Sequence, residues 1–154
     1  MGNPSQVGGF ERLDEIMRST VSRRQPHSTL LVCFFTGLGV PDHCAAMRRD
    51  PAPSLGAPVR NSFHHHIDDA IALNPAVHDG AVIIGRDYES AEYEIRGWSF
   101  RLFPPATDVV QQANRGSAFN SGAAMSSMTG IDAVYLFSQQ VLTRFVCGAH
   151  LVLP

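Results

Sequence analysis

Phe10, Leu13, Ile16 and Met17 recur every three or four positions among arginines and carboxylates. That spacing predicts an amphipathic helix over residues 10–22, broken by Pro26 and His27. Residues 29–35 form a β-branched and aromatic run bounded by Gly37 and Gly39, the pattern of a buried strand. Residues 41–60 carry Pro41, Pro51, Pro53, Pro58 and Gly56, which is loop chemistry with room for one short helical turn at 42–48. Ser62 is placed to cap a helix over 63–73, with Phe63, Ile67, Ala70 and Ile71 as its apolar face and Asn74-Pro75 as its stop. Residues 81–85 read as the next strand. A turn at 86–90 leads into 92–103, where Tyr93, Ile95, Gly97 and Ser99 alternate with Glu94, Arg96, Trp98 and Phe100, a hairpin with one packed face. Beyond Pro104-Pro105, Thr107 is placed to cap a helix through Asn114, and a further helix is expected over 118–129, closed by Gly130. Strands over 133–138 and 144–153 finish the chain. This order predicts an α/β (mixed α+β) fold, one domain with a central mixed β-sheet flanked by helices.

Composition narrows the function classes. The 154 residues are 44% hydrophobic and 17% charged, as in a folded globular protein, and the formal net charge is -2. That balance argues against a nucleic-acid partner, which calls for a basic face; Arg23-Arg24 reads as a solvated edge. Cys33, Cys44 and Cys147 are odd in number and contain no CxxC pair, so neither a disulfide framework nor a zinc ribbon is expected. No run reaches the ~18 apolar residues of a membrane span, and the polar opening is no secretory signal. A cytoplasmic protein with no membrane segment is the expectation. His64-His65-His66 with Asp68, Asp69 and His78 invites a metal reading, since His64 and Asp68, or His65 and Asp69, lie one helical turn apart. Consecutive histidines point in three directions, so a polar helix face is the simpler account.

The strongest chemical signal is Asn74-Pro75-Ala76-Val77-His78-Asp79-Gly80-Ala81-Val82-Ile83-Ile84. A turn closes a helix, an acid-glycine pair follows, and a β-branched run enters the core, leaving Asp79 at the mouth of a strand. Further on, Gly116-Ser117-Ala118-Phe119-Asn120-Ser121 opens a helix, Ser126-Ser127-Met128-Thr129 ends it, and Ser138-Gln139-Gln140 follows the next strand. In order and spacing these stretches resemble the diadenylate cyclase domain, the nucleotide-binding module of the DisA family. There a proline-spaced Leu-His-Asp-Gly-Ala-Val-Ile-Ile marks the catalytic strand. A Gly-Thr-Arg-His-Arg-Ala loop opens a helix, Ser-Glu-x-Thr-Asp ends it, and a strand finishes in Ser-Glu-Glu. The first motif is nearly intact here. In the second, Ala118 and Asn120 stand where the family has arginines and Phe119 where it has histidine, and Gln139 and Gln140 replace the terminal acids.

That family joins two ATP molecules: a 3′-hydroxyl attacks an α-phosphate, pyrophosphate leaves, and a metal with cationic donors neutralises the growing charge. The resemblance therefore implies a nucleotide surrounded by Asp79, Gly80, Ala81, Gly116, Ser117, Asn120, Thr129 and Ser138. It implies Asp79 as catalytic and metal-binding residue, with Mg or Mn as cofactor, only if the chain is active. Neither alanine nor asparagine reproduces the bidentate arginine fork, so the phosphate clamp reads as degraded. The Gly116 backbone and the Ser117 hydroxyl remain to receive an anion, although Ser117 reads equally as a helix cap. Three functions follow: a nucleotide or cyclic-nucleotide sensor or regulatory domain; an active cyclase making cyclic di-AMP or a related cyclic dinucleotide from ATP; or an interaction module with a vestigial pocket. Because the family's protomers face each other across the reaction, a weak homodimer is expected.

Overall fold

The computed structural model describes residues 9–105, 112 and 114–154. Its elements run α1 (Glu11–Val21), β1 (Leu30–Thr36), β2 (Cys44–Ala46), α2 (Phe63–Leu73), a 3-10 turn (Pro75–His78), β3 (Ala81–Arg86), β4 (Glu94–Leu102), α3 (Gly116–Ser126), β5 (Ile131–Ser138), β6 (Val141–Val146) and β7 (Ala149–Leu153). The strands make one sheet in the order β2-β4-β3-β1-β5-β6-β7. Among the described residues only β1 and β3 pair in parallel, and α2 lies within the long crossover that parallel pairing requires.

Burial on both faces places β1 at the centre. Leu30, Val32 and Phe34 pack with α1 and α2, while Cys33 and Phe35 pack with Phe119, Ala123 and Met125 of α3. The same alternation sends Ala133, Tyr135 and Phe137 of β5 to the first core and Val134 and Leu136 to the second. The mixed sheet flanked by helices is the architecture expected from the periodicity. None of the three cysteines is paired, and burial, with Asp42 nearby, pushes the Cys44 thiol up to about 11. Among the described residues no helix is long and apolar enough to cross a membrane.

Four local expectations need correction. The segment 42–48 holds strand β2, not a helical turn, because Cys44–Ala46 find antiparallel partners in Leu102, Arg101 and Phe100. The expected strand 144–153 is two strands, β6 and β7, joined by a turn in which Cys147 and Gly148 both have positive φ. Ser62 makes no capping hydrogen bond to α2; instead the Asn74 side chain accepts from Ala76 N (3.1 Å) and starts the 3-10 turn. The alternation in β4 is broken by two register shifts against β3, so Trp98 joins Ile95 in the α1–α2 core. The helix expected from Thr107 to Asn114 lies largely outside the described residues.

α1 is tied to the sheet by a polar knot. Asp14 is almost buried, accepts from the Tyr135 hydroxyl at 2.6 Å and pairs with Arg144 of β6. Burial and the Asp14 carboxylate both push the Tyr135 phenol upward, so it stays a donor at any physiological pH. Replacing Asp14 removes the partner of a largely buried cation and a buried hydroxyl. Asp14→Ala is expected to cost about 3 kcal/mol, the low end for breaking a buried pair, against about 1 kcal/mol for Tyr135→Phe, which leaves Asp14–Arg144 intact. Urea unfolding of the two variants measures the ordering.

Candidate functional site

The register of β1 decides which motifs meet. Leu31 pairs with Ala81, so Asp79 and Gly80 enter the sheet at the level of Thr29. Ala81 in turn pairs with Phe100, which brings the last residues of β4 to the same end. α3 begins above this edge. Between them lies a cavity of about 420 Å³. Asp79, Gly80 and His78 form one side and Ser117, Ala118 and Ser121 another; Thr29, Leu31, Phe100 and Arg101 also line it.

Several of the sequence-derived candidates therefore come together, and several do not. Asp79, Gly80 and Ser117 line the cavity. Ala81 is fully buried beneath it and contributes only as the first residue of β3. Gly116 sets the helix start with φ +82° but is not part of the wall. Asn120 has spent its carboxamide on the chain before α3: its oxygen accepts from Gln112 N at 2.9 Å and its nitrogen donates to Gln112 O at 3.0 Å. Ser138 reaches the same end of the sheet, since Phe137 pairs with Leu30, yet it lines a separate cavity of about 200 Å³ with Gln139, Arg115 and Phe119. Thr129 sits at the opposite end, next to Gly130, whose carbonyl accepts from Thr36 N at the far end of β1.

Ser117 is not a cap. The cap position belongs to Arg115, whose side chain makes no capping hydrogen bond. Asp79 is largely exposed, 69% by side chain, and its partner is Arg49 Nη2 at 3.8 Å. Arg49 lies in the proline-rich stretch read from sequence as loop, where no periodicity marks it. Its Nε donates to Ser99 Oγ at 3.2 Å, and Ser99 Oγ donates to the Val77 carbonyl at 3.2 Å. Ser99 is buried at a β4 register shift with φ +56°, a conformation that serine rarely adopts and that nothing in its neighbours announces.

A divalent ion is implied by the resemblance, and the donor set can be tested against it. Asp79 stands as a single carboxylate beside a cation, the Nδ1 of His78 is bound to the Pro75 carbonyl at 2.6 Å, and Gln139 and Gln140 occupy an exposed turn. Among the described residues no three His, Cys, Asp or Glu side chains cluster. This set suits an ion that arrives on phosphate oxygens, with one protein carboxylate completing its shell, and not one held by the protein alone. The histidine run gathers no site either: His64 is buried against the core and its ring lies 4.0 Å from that of His65.

No protein-family model matches the chain, and no curated protein matches it. Solved structures do. A hypothetical membrane spanning protein from Bacillus cereus superposes with TM-score 0.62 at 14% identity, over 93% of this chain. The chain spans 62% of the length of that protein. A double mutant of DacA from Staphylococcus aureus superposes with TM-score 0.57 at 14% identity, over 97% of this chain and 89% of that one. The fold of this chain, a mixed seven-stranded sheet with three helices, resembles that of DacA.

The floor of the site depends on Gly80. Its φ is +92°, and a Cβ there would stand 2.9 Å from Ser99 Cα and 2.8 Å from Ser99 C, both backbone atoms. Gly56 has φ +95° with nothing within 4 Å of the same position. Gly80→Ala is therefore expected to cost about 2 kcal/mol more than Gly56→Ala, the added amount being the steric push on β4 and not the shared φ strain. Urea unfolding of both variants, compared with the parent chain, reads the difference.

Proposed function

We propose that this chain is a nucleotide-binding sensor or regulatory domain on the diadenylate cyclase fold, holding a nucleotide or cyclic dinucleotide in the Asp79 cavity without efficient turnover. The observation that carries the reading is the convergence of Asp79-Gly80 and the start of α3 on one cavity. Asp79 and Ser117 lie 38 positions apart in the chain and belong to two of the motifs of the resemblance. The fold shared with DacA, a diadenylate cyclase, supports the same ligand class. A volume of about 420 Å³ falls within the range of small-molecule sites.

The reason for slow chemistry is local to α3. Ala118 lines the cavity with a methyl group where the family presents a guanidinium, and the Asn120 amide is occupied by Gln112. Each lost charge-assisted bond is worth roughly 1.5–3 kcal/mol. Two such losses felt in the transition state slow the reaction by about two to four orders of magnitude. One observation favours the alternative of an active cyclase: Asp79 keeps most of its carboxylate open to solvent and free to meet a nucleotide-bound ion.

Calorimetric titration with ATP, GTP and cyclic dinucleotides, with and without Mg, is expected to show binding by at least one of them; no binding by any would leave the interaction-module reading. Product analysis after long incubation with ATP is expected to find little cyclic di-AMP. Efficient synthesis abolished by Asp79→Asn would establish the active cyclase instead. A ligand with two-fold symmetry is further expected to tighten a weak homodimer by mass action, which sedimentation at several concentrations detects as a ligand-dependent shift.

A further inference from the structure

Arg49 lies three residues beyond β2, yet its guanidinium is closely placed. Nε donates to Ser99 Oγ at 3.2 Å, Nη1 reaches the Arg48 carbonyl at 3.3 Å, and Nη2 approaches Met47 Sδ at 3.9 Å. All three acceptors are neutral, and the last two contacts are long. The side chain retains only 20% of its exposure. Asp79 does not account for this placement, because an ion pair at 3.8 Å with a carboxylate 69% exposed gains almost nothing over water. Ser99 does account for it. That residue is held in the left-handed region, its hydroxyl fixed by Val77 O, its backbone pressed against the Cβ-less face of Gly80. A strained serine and an obligatory glycine thus cooperate to hold a half-desolvated cation beside the carboxylate of the cavity.

Building on the nucleotide reading above, we infer that Arg49 is the phosphate-binding cation of the Asp79 cavity, the counterpart of the arginines absent from the start of α3. Its two Nη groups make only weak contacts and retain capacity for the paired, charge-assisted bonds that a phosphate accepts. Arg101 lines the cavity from β4, and the first turn of α3, whose N-cap side chain Arg115 makes no capping bond, faces it with Ser117. Among the described lining residues Asp79 is the one carboxylate against these positive groups, so the site favours an anion. Leu31 and Phe100 supply an apolar wall for the remainder of the ligand. The chemical class that matches is a phosphorylated nucleoside, with its phosphate at Arg49.

The test titrates the full chain, its Arg49→Ala and Arg49→Lys variants and Ser99→Ala with ATP, adenosine and inorganic pyrophosphate at two salt concentrations, each variant first checked for an unfolding transition. Arg49→Ala is expected to weaken ATP about tenfold or more and to flatten the salt dependence, with adenosine affinity unchanged. Arg49→Lys restores the charge but not the fork, so it is expected to recover ATP binding only in part. Ser99→Ala, which frees the guanidinium without removing it, is expected to fall between parent and Arg49→Ala. If Arg49→Ala fails to fold, the graded losses in Arg49→Lys and Ser99→Ala carry the test. Parent-like ATP affinity in the Arg49 variants would overturn the inference while leaving the nucleotide reading in place. Pyrophosphate bound in an Arg49-dependent way, with no preference for ATP, would keep the cation and overturn the nucleotide. Failure of the parent chain to bind either would overturn both.

Discussion

The pairing of β1 governs everything around it. Its residues are buried from both faces, which forces neighbours on each edge, parallel β3 on one side and antiparallel β5 on the other. Because side chains alternate with a period of two, a slip of one residue would exchange Val32 and Phe34 with Cys33 and Phe35 and unmatch both cores. Register is therefore held strongly, and the site inherits it. Leu31 against Ala81 sets the height of Asp79; Leu30 against Phe137 sets the height of Ser138; and Ala81 against Phe100 brings Arg101 to the same edge.

The two ends of this sheet are treated differently. In open α/β sheets ligands usually bind beyond the carboxyl ends of the parallel strands. Here that end is filled. Thr36 Oγ1 and the Tyr93 hydroxyl both donate to Asp132 Oδ2 at 2.7 Å, Arg86 Nε donates to Thr36 Oγ1 at 2.9 Å, and the Arg86 guanidinium stacks over the Tyr93 ring at 4.5 Å. Burial, reinforced by Asp132, pushes the Tyr93 phenol upward and keeps its proton in the network. These groups satisfy each other. At the opposite end the amino termini of β1 and β3 meet the carboxyl end of antiparallel β4, and the polar groups there are left facing a cavity. The antiparallel strand makes this possible, since it carries chain to an edge that a purely parallel sheet would leave to connecting loops.

Charge within that cavity is set by parts far apart in sequence. The carboxylate comes from a strand mouth and has beside it Arg49 from the chain after β2; Arg101 comes from the end of β4, and Ser117 from the start of α3. Ala118, the α3 residue beside Ser117 on the cavity wall, carries no charge, so the cation on that wall is Arg101 of β4, with Arg49 paired to Asp79 nearby. Ser99 connects two of these parts by touching both Arg49 and the chain that leads to Asp79.

The amino-acid sequence by itself determined the elements whose cause is local. α1 and α2 follow from apolar spacing, β1 and β3 from β-branched runs, and the position of Asp79 at a strand mouth from an Asn-Pro stop followed by Asp-Gly. Tertiary structure decided what depends on partners. β2 is too short to be a strand without Leu102 and Arg101 beside it. The turn at Gln139 and Gln140 uses positive φ at two residues that are not glycine, so no turn chemistry announces it. Thr129 and Ser117, on one helix and its exit, are carried to opposite ends of the sheet by the length of α3. Arg49 and Ser99 lie 50 positions apart, and their contact exists only because β4 shifts register beside Gly80. Local periodicity records which face of an element is buried; it holds no record of which distant chain covers that face, and the meeting of Asp79 with Arg49 is arranged by that second kind of contact.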